Sequence, residues 1–523
     1  MIDVNYPTRS FKSKKTDGFM KHYCLCSLFK VFLFFVCSPV FCEPVTKILD
    51  NGSSSNRVDI VVLGDGYTSS EQMKYADDVE NFVINGFLAE EPYAEYINYF
   101  NVNRIDVISN ESGVDHPENN IDKDTALGAH YNCQNIQRLI CVDYAAVSTV
   151  INNSINPDEK DMVIVIVNDD EYGGSGGAVA VASTNVSAVE LVLHETGHSF
   201  GLLADEYTYQ PPDCINDLEP PEPNVTIETD RNLIKWNTNG GPPSGWIDTN
   251  IQVPTLEQTD GIPGLYEGAK YCETGLYRPT YNSKMRSLGR PFEQVNEEQL
   301  VKRIYNFVSP IDAVSPSSDK INVKKGESID FSVDTTTPQN PDFSITWLLN
   351  GVSQSISGSY TLNSTTLNSG NYALTVHVRD RTNKVRNDTY SILQDEFTWS
   401  LTVSDPDSDS DGIPDSMDNC PQLPNTDQSN NDNDALGDVC DPDDDNDGVP
   451  DNSDAFPLDP NEAADTDADT IGDNADNCPY TANSDQSDSN GDGIGDACEA
   501  IDDGFINLLI MIIEKLNKNL KSK

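Results

Sequence analysis

Between residues 404 and 504 the chain carries 31 Asp and Glu and not one Lys or Arg. A segment so charged cannot build a core from apolar side chains. It is either disordered by self-repulsion or neutralised by bound cations. The acids keep a register. Asp407, Asp409 and Asp411 alternate, then come Gly412 and Asp415. Asp443, Asp445, Asp447, Gly448 and Asp451 repeat that spacing. Asp465, Asp467, Asp469 and Asp473 repeat it without the glycine, and Asp488, Asn490, Asp492, Gly493 and Asp496 repeat it with one amide. Alternating oxygen donors in a tight loop converge on one cation, and the glycine permits the turn that wraps it. Ca2+ takes six to eight hard oxygen ligands in flexible geometry, which such loops supply. The Glu that closes an EF-hand loop is missing, so a plain EF-hand is disfavoured.

The rest of the chain is less extreme, but the whole is acidic: 33 Lys and Arg against 86 Asp and Glu give a net charge of −53. That balance argues against nucleic acid as a partner and against adsorption to anionic lipid. A length of 523 residues implies several domains. Residues 31–41 (VFLFFVCSPVF) follow Lys21 and Lys30 and precede Glu43-Pro44. The run is too short to span a bilayer but suits the core of a signal peptide over residues 1–42, with Met20 as an alternative start. Of the twelve cysteines, eight lie beyond this region: Cys133, Cys141, Cys214, Cys272, Cys420, Cys440, Cys478 and Cys498. An even set behind an export signal reads as disulfides, with a secreted or cell-surface location. Local pairing joins Cys133 to Cys141 and Cys214 to Cys272, one of three connectivities open to those four.

Residues 43–308 mix strands and helices. VDIVVLG (58–64) and DMVIVIVN (161–168) read as buried strands, and 70–87 as helical, which predicts an α/β or α+β domain. Residues 309–403 change to alternating strands separated by Gly, Asn, Ser and Pro turns: SIDFSVD, SITWLLNG, YALTVHVRD and FTWSLTV. This predicts an all-β sandwich of immunoglobulin-like architecture without cysteine, similar to polycystic-kidney-disease or fibronectin modules. After the acidic stretch, FINLLIMII and a Lys-rich end form a tail over 504–523. It reads as a terminal helix, with a sorting signal or a surface-lying amphipathic helix as alternatives.

The chemistry concentrates in LVLHETGHSFGLLADEY, residues 191–207. Ser187 and Glu190 have the spacing of a capping box. Val189, Val192, Leu193 and Phe200 mark an apolar stripe at helical spacing. His194 and His198 are four apart, so they project from one helical face, as two imidazoles gripping one Zn2+ must. Glu195 stands beside them, placed to move a proton from the attacking water to the leaving amine. Gly201 is expected to end the helix in a left-handed turn. Ten residues after His194, where the metzincin pattern has its third ligand, stands Ala204, which cannot bind metal. Asp205 is the candidate third zinc ligand and Glu206 the alternative. His116 and His130 are held in reserve as ligands. Gly173, Gly174, Gly176 and Gly177 lack the Lys-Ser/Thr of a phosphate loop. They turn the chain into 178–182, expected as an edge strand open to an extended peptide.

Two resemblances follow from these residues. HETGHSFGLLADEY resembles the IgA-peptidase family of zinc metallo-endopeptidases, and VDIVVLGDGYT, EYGGSGG and YRPTYNSKMRS look like that family's blocks. The resemblance covers roughly 45–308. It implies a metzincin-like fold, one catalytic Zn2+ held by His194 and His198, Glu195 as catalytic base, and Asp205 at the family's acidic position. By the same resemblance Met285 stands in a Met-turn beneath the zinc. Tyr277 and Tyr281 lie near it in sequence as candidates to hydrogen-bond an oxyanion. The second resemblance is carried by two DNCP…GD-x-C frames, in which Cys420 and Cys440, and Cys478 and Cys498, are each 20 apart. These look like thrombospondin type 3 repeats over 404–503, which implies several structural Ca2+ ions and disulfides in place of a core. The expectation is a zinc endopeptidase acting on an extracellular polypeptide, immunoglobulin among the candidates, with cell-surface or matrix contact through the repeats. The alternative is a calcium-dependent adhesin or matrix-binding protein with a vestigial peptidase domain.

Overall fold

A computed structural model of the protein describes residues 43–209, 218–237, 245–356, 358–386, 388–499 and 503–520. The expected signal peptide lies outside them. The described residues fall into two compact units. One runs to Asp319 and includes Asp330–Thr361 and Ala373–Trp399; the other comprises Lys320–Ile329, Leu362–Tyr372 and the residues from Ser400 onward.

The first unit is organised by a six-stranded sheet. Its elements are β1 (Val45–Leu49), β2 (Val58–Asp65), α1 (Gln72–Val79), β3 (Phe100–Ile105), α2 (Tyr144–Ser154), β4 (Met162–Val167), β5 (Gly174–Ser175), β6 (Ala180–Ser183) and α3 (Ala188–Ser199). The strand order is β1-β3-β2-β4-β6-β5. The four inner strands are parallel and both outer strands antiparallel. All eight residues of β2 and all six of β4 are buried, as continuous apolar runs in a covered parallel sheet should be. The pleat sorts them. Val58, Ile60, Val62, Ile164 and Ile166 face Val192 and Leu193 of α3, whereas Val61, Leu63, Val163, Val165 and Val167 face Val147 and Ile151 of α2.

The expected edge strand over 178–182 is not one. β6 is flanked by β4 and β5, and the far side of β5 is covered by residues 138–140: Gly174 N donates to Arg138 O at 3.0 Å, and the Ser175 hydroxyl to Ile140 O at 2.6 Å. A short antiparallel return therefore seals the position offered to a peptide. The Cys133–Cys141 bridge forms as expected. Cys272 is disulfide-bonded; its expected partner Cys214 lies outside the described residues.

A hairpin of β7 (Tyr266–Ala269) and β8 (Cys272–Arg278) precedes α4 (Gln294–Phe307). Leu300, Val301 and Ile304 of α4 enter the core that α3 closes. Arg303 Nε donates to Phe200 O and Gln299 Nε2 to Gly201 O, which holds the end of α3.

The sandwich contains β9 (Ile311–Ser315), β10 (Lys320–Lys324), β11 (Ser328–Thr335), β12 (Phe343–Leu349), β13 (Val352–Gln354), β14 (Tyr360–Asn363), β15 (Gly370–Asp380) and β16 (Gln394–Ser404). Its sheets run β10-β16-β15-β12-β13 and β14-β11-β9. Trp399 meets Phe331 at 5.1 Å and Trp347 at 5.8 Å between ring centres, filling the space between the sheets. The part of this module that lies in the first unit packs into that unit's core. Leu393 is buried in the same cluster as Val192 and Leu193, and Lys384 pairs with Glu91, Glu95 and Glu297. Arg386 lies 4.1 Å over the Trp246 ring.

In the second unit the acidic stretch forms bends and turns, with a single short 3-10 turn, at Asp451–Ser453, among its described residues before Asp503. Cys420–Cys440 and Cys478–Cys498 are bridged, and Cys420 and Cys478 are buried. The tail forms α5 (Asp503–Leu520), with Leu508 to Ile513 exposed. Among the described residues no helix is long and apolar enough to cross a membrane.

Candidate metal centre and active site

α3 docks on the sheet's core through Val192 and Leu193, which fixes where His194 and His198 project. Its start is not the expected capping box: Ser187 makes no side-chain cap. Glu190 instead accepts from Lys284 Nζ at 2.6 Å and from Gly289 N at 2.8 Å. A buried ammonium is the stronger partner for a carboxylate than a backbone N–H near water. The end of α3 also differs from expectation. The left-handed residue is Leu202, at φ 58°, not Gly201. Gly201 is needed for close approach, since a β-carbon there would stand 2.6 Å from Gly197 O and 2.8 Å from Leu300 Cδ2.

Three candidate ligands converge. His194 Nε2 and His198 Nε2 are 3.2 Å apart, and each is 3.1 Å from Asp205 Oδ1. His194 Nδ1 donates to Lys284 O at 2.9 Å and His198 Nδ1 to Leu203 O at 2.7 Å. With Nδ1–H so engaged, each neutral imidazole presents an Nε2 lone pair to the other and to a carboxylate oxygen. Three lone pairs face one another with no proton among them, an arrangement that calls for a cation. Around a tetrahedral ion with bonds of about 2.0–2.1 Å, ligand atoms stand about 3.3 Å apart, so the donor set fits a small four-coordinate metal with one position left open. Burial alone would lower the His198 pKa, but Asp205 and the Leu203 carbonyl raise it. Burial opposes ionisation of Asp205, yet the adjacent His194 and His198 rings and the Tyr271 hydroxyl hold its carboxyl well below the usual range.

Glu206, the alternative ligand, does not join them. It is fully buried and accepts from Asn224, Ser283 and Asn296. Burial raises its pKa against those bonds. Met285 is buried against the helix: a β-carbon on Gly197 would lie 2.5 Å from its Sδ. The residue before it supplies the carbonyl that orients His194. Lys284 is itself buried, its Nζ also 3.3 Å from Glu90. Glu195 projects from the same helix toward residue 176, where a β-carbon would stand 2.0 Å from its Oε2.

The remaining candidates lie elsewhere. Tyr281 donates to Gln258, and Tyr277 packs against the cluster around Trp236 and Leu265. His116 lies between Asp169 and Glu118 and stacks on Tyr131 at 4.5 Å. His130 bonds to Gly128 O beside the Cys133–Cys141 bridge. Neither is placed with His194. The phenol that does reach the site is Tyr271, whose hydroxyl donates to Asp205 Oδ2. Its pKa is pushed up to about 12, first by burial and then by Asp205. Lys284 and Tyr271 are the residues that sequence reasoning missed. Lys284 stood within a quoted block, but nothing local marks Tyr271.

In the acidic loops, one oxygen each of Asp407, Asp409 and Asp411 cluster, as do those of Asp443, Asp445 and Asp447. Asp409 Oδ2, Asp443 Oδ1, Asp445 Oδ2 and both oxygens of Asp467 are buried without a hydrogen-bond partner. Desolvation, and then neighbouring carboxylates, raise the pKa of Asp409, Asp445 and Asp467. Orphaned carboxylate oxygens that crowd one another fit a bound cation. The last acid of each loop closes it from within: Asp415, Asp473 and Asp496 accept from the amide and hydroxyl seven residues earlier, and Asp451 from the Asp444 amide. A further group, Asp432, Asp434 and Asp441, was missed. Its signal was Asn430-x-Asp432-x-Asp434, the same register with an amide first.

Comparison with known proteins agrees with both resemblances. The family model described as IgA Peptidase M64 matches residues 46–258. That of the thrombospondin type 3 repeat matches 403–428, 429–464 and 463–486. No curated protein matches the chain. Among solved structures, a quinonprotein alcohol dehydrogenase-like protein from Bacteroides thetaiotaomicron is 16% identical over 17% of this chain and 18% of its own, with a TM-score of 0.13. This chain thus spans under a fifth of that structure. Fibronectin(III)-like modules from Clostridium thermocellum are 10% identical over 18% of this chain and 45% of theirs, at 0.13. A nucleoside hydrolase-related hypothetical protein from Saccharophagus degradans is 12% identical over 67% of this chain and 100% of its own, at 0.15. The disulfides and the repeats point to an extracellular protein.

Proposed function

We propose, for a chain whose residues 46–258 belong to the IgA Peptidase M64 family and whose residues 403–486 carry thrombospondin type 3 repeats, that it is an exported zinc endopeptidase with a calcium-stabilised repeat region. The observation that carries this reading is the convergence of His194 Nε2, His198 Nε2 and Asp205 Oδ1 within 3.2 Å, with Glu195 on the same helix. These three side chains would hold the Zn2+. When bound, the ion supplies Lewis acidity toward a peptide carbonyl. The chain's own residues do the rest. Glu195 takes the proton of the attacking water and gives it to the leaving amine. The Lys284 and Leu203 carbonyls fix both imidazoles in the tautomer that leaves Nε2 free. Met285 and Gly197 set the depth of the helix.

The domains in this reading are the peptidase over 43–308, the sandwich over 309–403 and the repeats over 404–503. The acidic loops would each take Ca2+ through their alternating carboxylates, Asp432 and Asp434 included. The substrate is an extracellular polypeptide, and the family's name makes immunoglobulin A the first to try.

The test is metal content and activity on one sample. Residues 43–523 and the Glu195→Ala variant are produced in an oxidising compartment and incubated with unfolded casein and with immunoglobulin A. About one zinc in both, with cleavage by the wild type alone, is expected. A zinc-free wild-type protein would refute the reading.

A further inference from the structure

We propose that Tyr271 is a positioning residue that anchors one oxygen of Asp205 so that the other stays aimed at His194 and His198. The inference deepens the zinc reading and rests on it. The two oxygens of Asp205 have separate partners. Oδ1 is 3.1 Å from both imidazole Nε2 atoms, while Oδ2 accepts from the Tyr271 hydroxyl. A carboxylate on a short side chain can rotate and present either oxygen. A phenol on one of them removes that freedom and raises the ligand's preorganisation.

The chain goes to some length to deliver this hydroxyl. Tyr271 sits at the tip of the β7–β8 hairpin, beyond the segment that the family model covers. Lys270 and Tyr271 are both left-handed, at φ 51° and 71°, a sparsely populated region for residues with a β-carbon. Such strain persists where surrounding contacts over-determine it and gathers at functional sites. Lys270 N donates to Asp205 O at 2.9 Å, Tyr271 N to Tyr207 O at 3.0 Å, and Tyr209 N to Tyr271 O at 2.9 Å. The hairpin tip is thus stapled to the segment that carries Asp205, and the neighbouring Cys272 is disulfide-bonded. The Tyr271 ring lies parallel to that of Tyr209, 5.8 Å away, and meets Tyr207 at 5.4 Å. Packing alone would be served by phenylalanine at 271, so the hydroxyl is what the arrangement adds.

The test compares wild type, Tyr271→Phe and Tyr209→Phe in the full chain. Zinc affinity is read by chelator competition, the visible spectrum after loading with cobalt, and folding by circular dichroism and melting. Tyr271→Phe is expected to keep the fold and melting curve of the metal-free protein, to bind zinc about 10–100-fold more weakly, and to change the cobalt spectrum. Tyr209→Phe, which keeps the ring stack and removes a hydroxyl not placed on Asp205, is expected to match wild type in all three. Tyr271→Phe with zinc affinity within twofold of wild type and an unchanged cobalt spectrum would overturn the positioning role while leaving the zinc reading standing. A wild type that binds no zinc would overturn both.

Discussion

Gly176 offers a direct test of where Glu195 must sit. A β-carbon built there would lie 2.0 Å from Glu195 Oε2, 2.4 Å from Cδ and 2.5 Å from Cβ, against 3.4–4 Å for ordinary contact. The carboxylate end could swing away, but Cβ is fixed to α3. The main chain at 176 and the helix must therefore part by about 1 Å, because packed interiors have no slack to absorb the overlap. Gly176 is not left-handed, so alanine adds no backbone strain and the effect is steric alone. A misplacement of about 1 Å in a reacting group costs on the order of 100-fold in rate. At 1.36 kcal/mol per decade that is about 2.7 kcal/mol of activation free energy. The assay is kcat/KM of Gly176→Ala on unfolded casein at saturating zinc, with zinc stoichiometry measured alongside. The expected result is a loss of about two orders of magnitude with the metal retained, since the nearest atoms to that β-carbon all belong to Glu195. Activity within threefold of wild type in a folded, zinc-loaded variant would refute the placement of Glu195 as the base at this contact.

Three further outcomes follow from single contacts. Lys284→Met should lower stability by about 2 kcal/mol, seen as a lower melting temperature, because Glu90 and Glu190 lose a buried ammonium. Thr470 occupies the glycine position of its acidic loop at φ 79°, where Gly412, Gly448 and Gly493 stand in the others, so Thr470→Gly should stabilise the repeats by about 1 kcal/mol in a denaturant melt. Arg57 and Asn56 hold the Asp312 carboxyl below the usual range although burial opposes this. A depressed folded-state pKa stabilises fully above the unfolded value near about 4 and fades as pH falls through the folded value. Asp312→Asn should therefore cost about 1.5–3 kcal/mol at pH 7, and the deficit in melting should shrink below pH 4.

What the sequence disclosed and what it hid divide along physical lines. β2 and β4 were legible because a strand buried on both faces needs an unbroken apolar run. His194 and His198 were legible because two side chains that meet from one helix must keep a helical spacing. The acidic loops were legible because the main chain, not a distant partner, sets where each carboxylate stands. Contacts made across the fold were hidden. Asp205 and Tyr271 are 66 residues apart with no pattern linking them. Glycines were misjudged for a related reason. Gly201 follows a helix, so it reads as a left-handed cap, yet what it serves is the approach of Gly197 and Leu300. Ser187 and Glu190 have capping-box spacing, but a buried lysine 94 residues on takes the carboxylate.

The folded unit that shapes the site extends past the segment matched by the family. The family model stops at residue 258, yet groups that shape the site lie at 271, 284, 285 and 296. α4 carries the last of these and ties down both residues after α3. α4 is in turn fixed from beyond its own end. Tyr305 donates to Asp380 at 2.6 Å and shares a 2.8 Å hydrogen bond with Tyr99, while Tyr96 donates to the same carboxylate at 3.2 Å. Burial raises the Asp380 pKa and these phenols offset it, so neither side of the contact is satisfied without the other. Leu393 and the three-carboxylate seat of Lys384 add apolar and ionic closure at the same place. Asp380, Lys384 and Leu393 of the sandwich are thus part of what positions α4, and through α4 the end of the helix that bears the histidines.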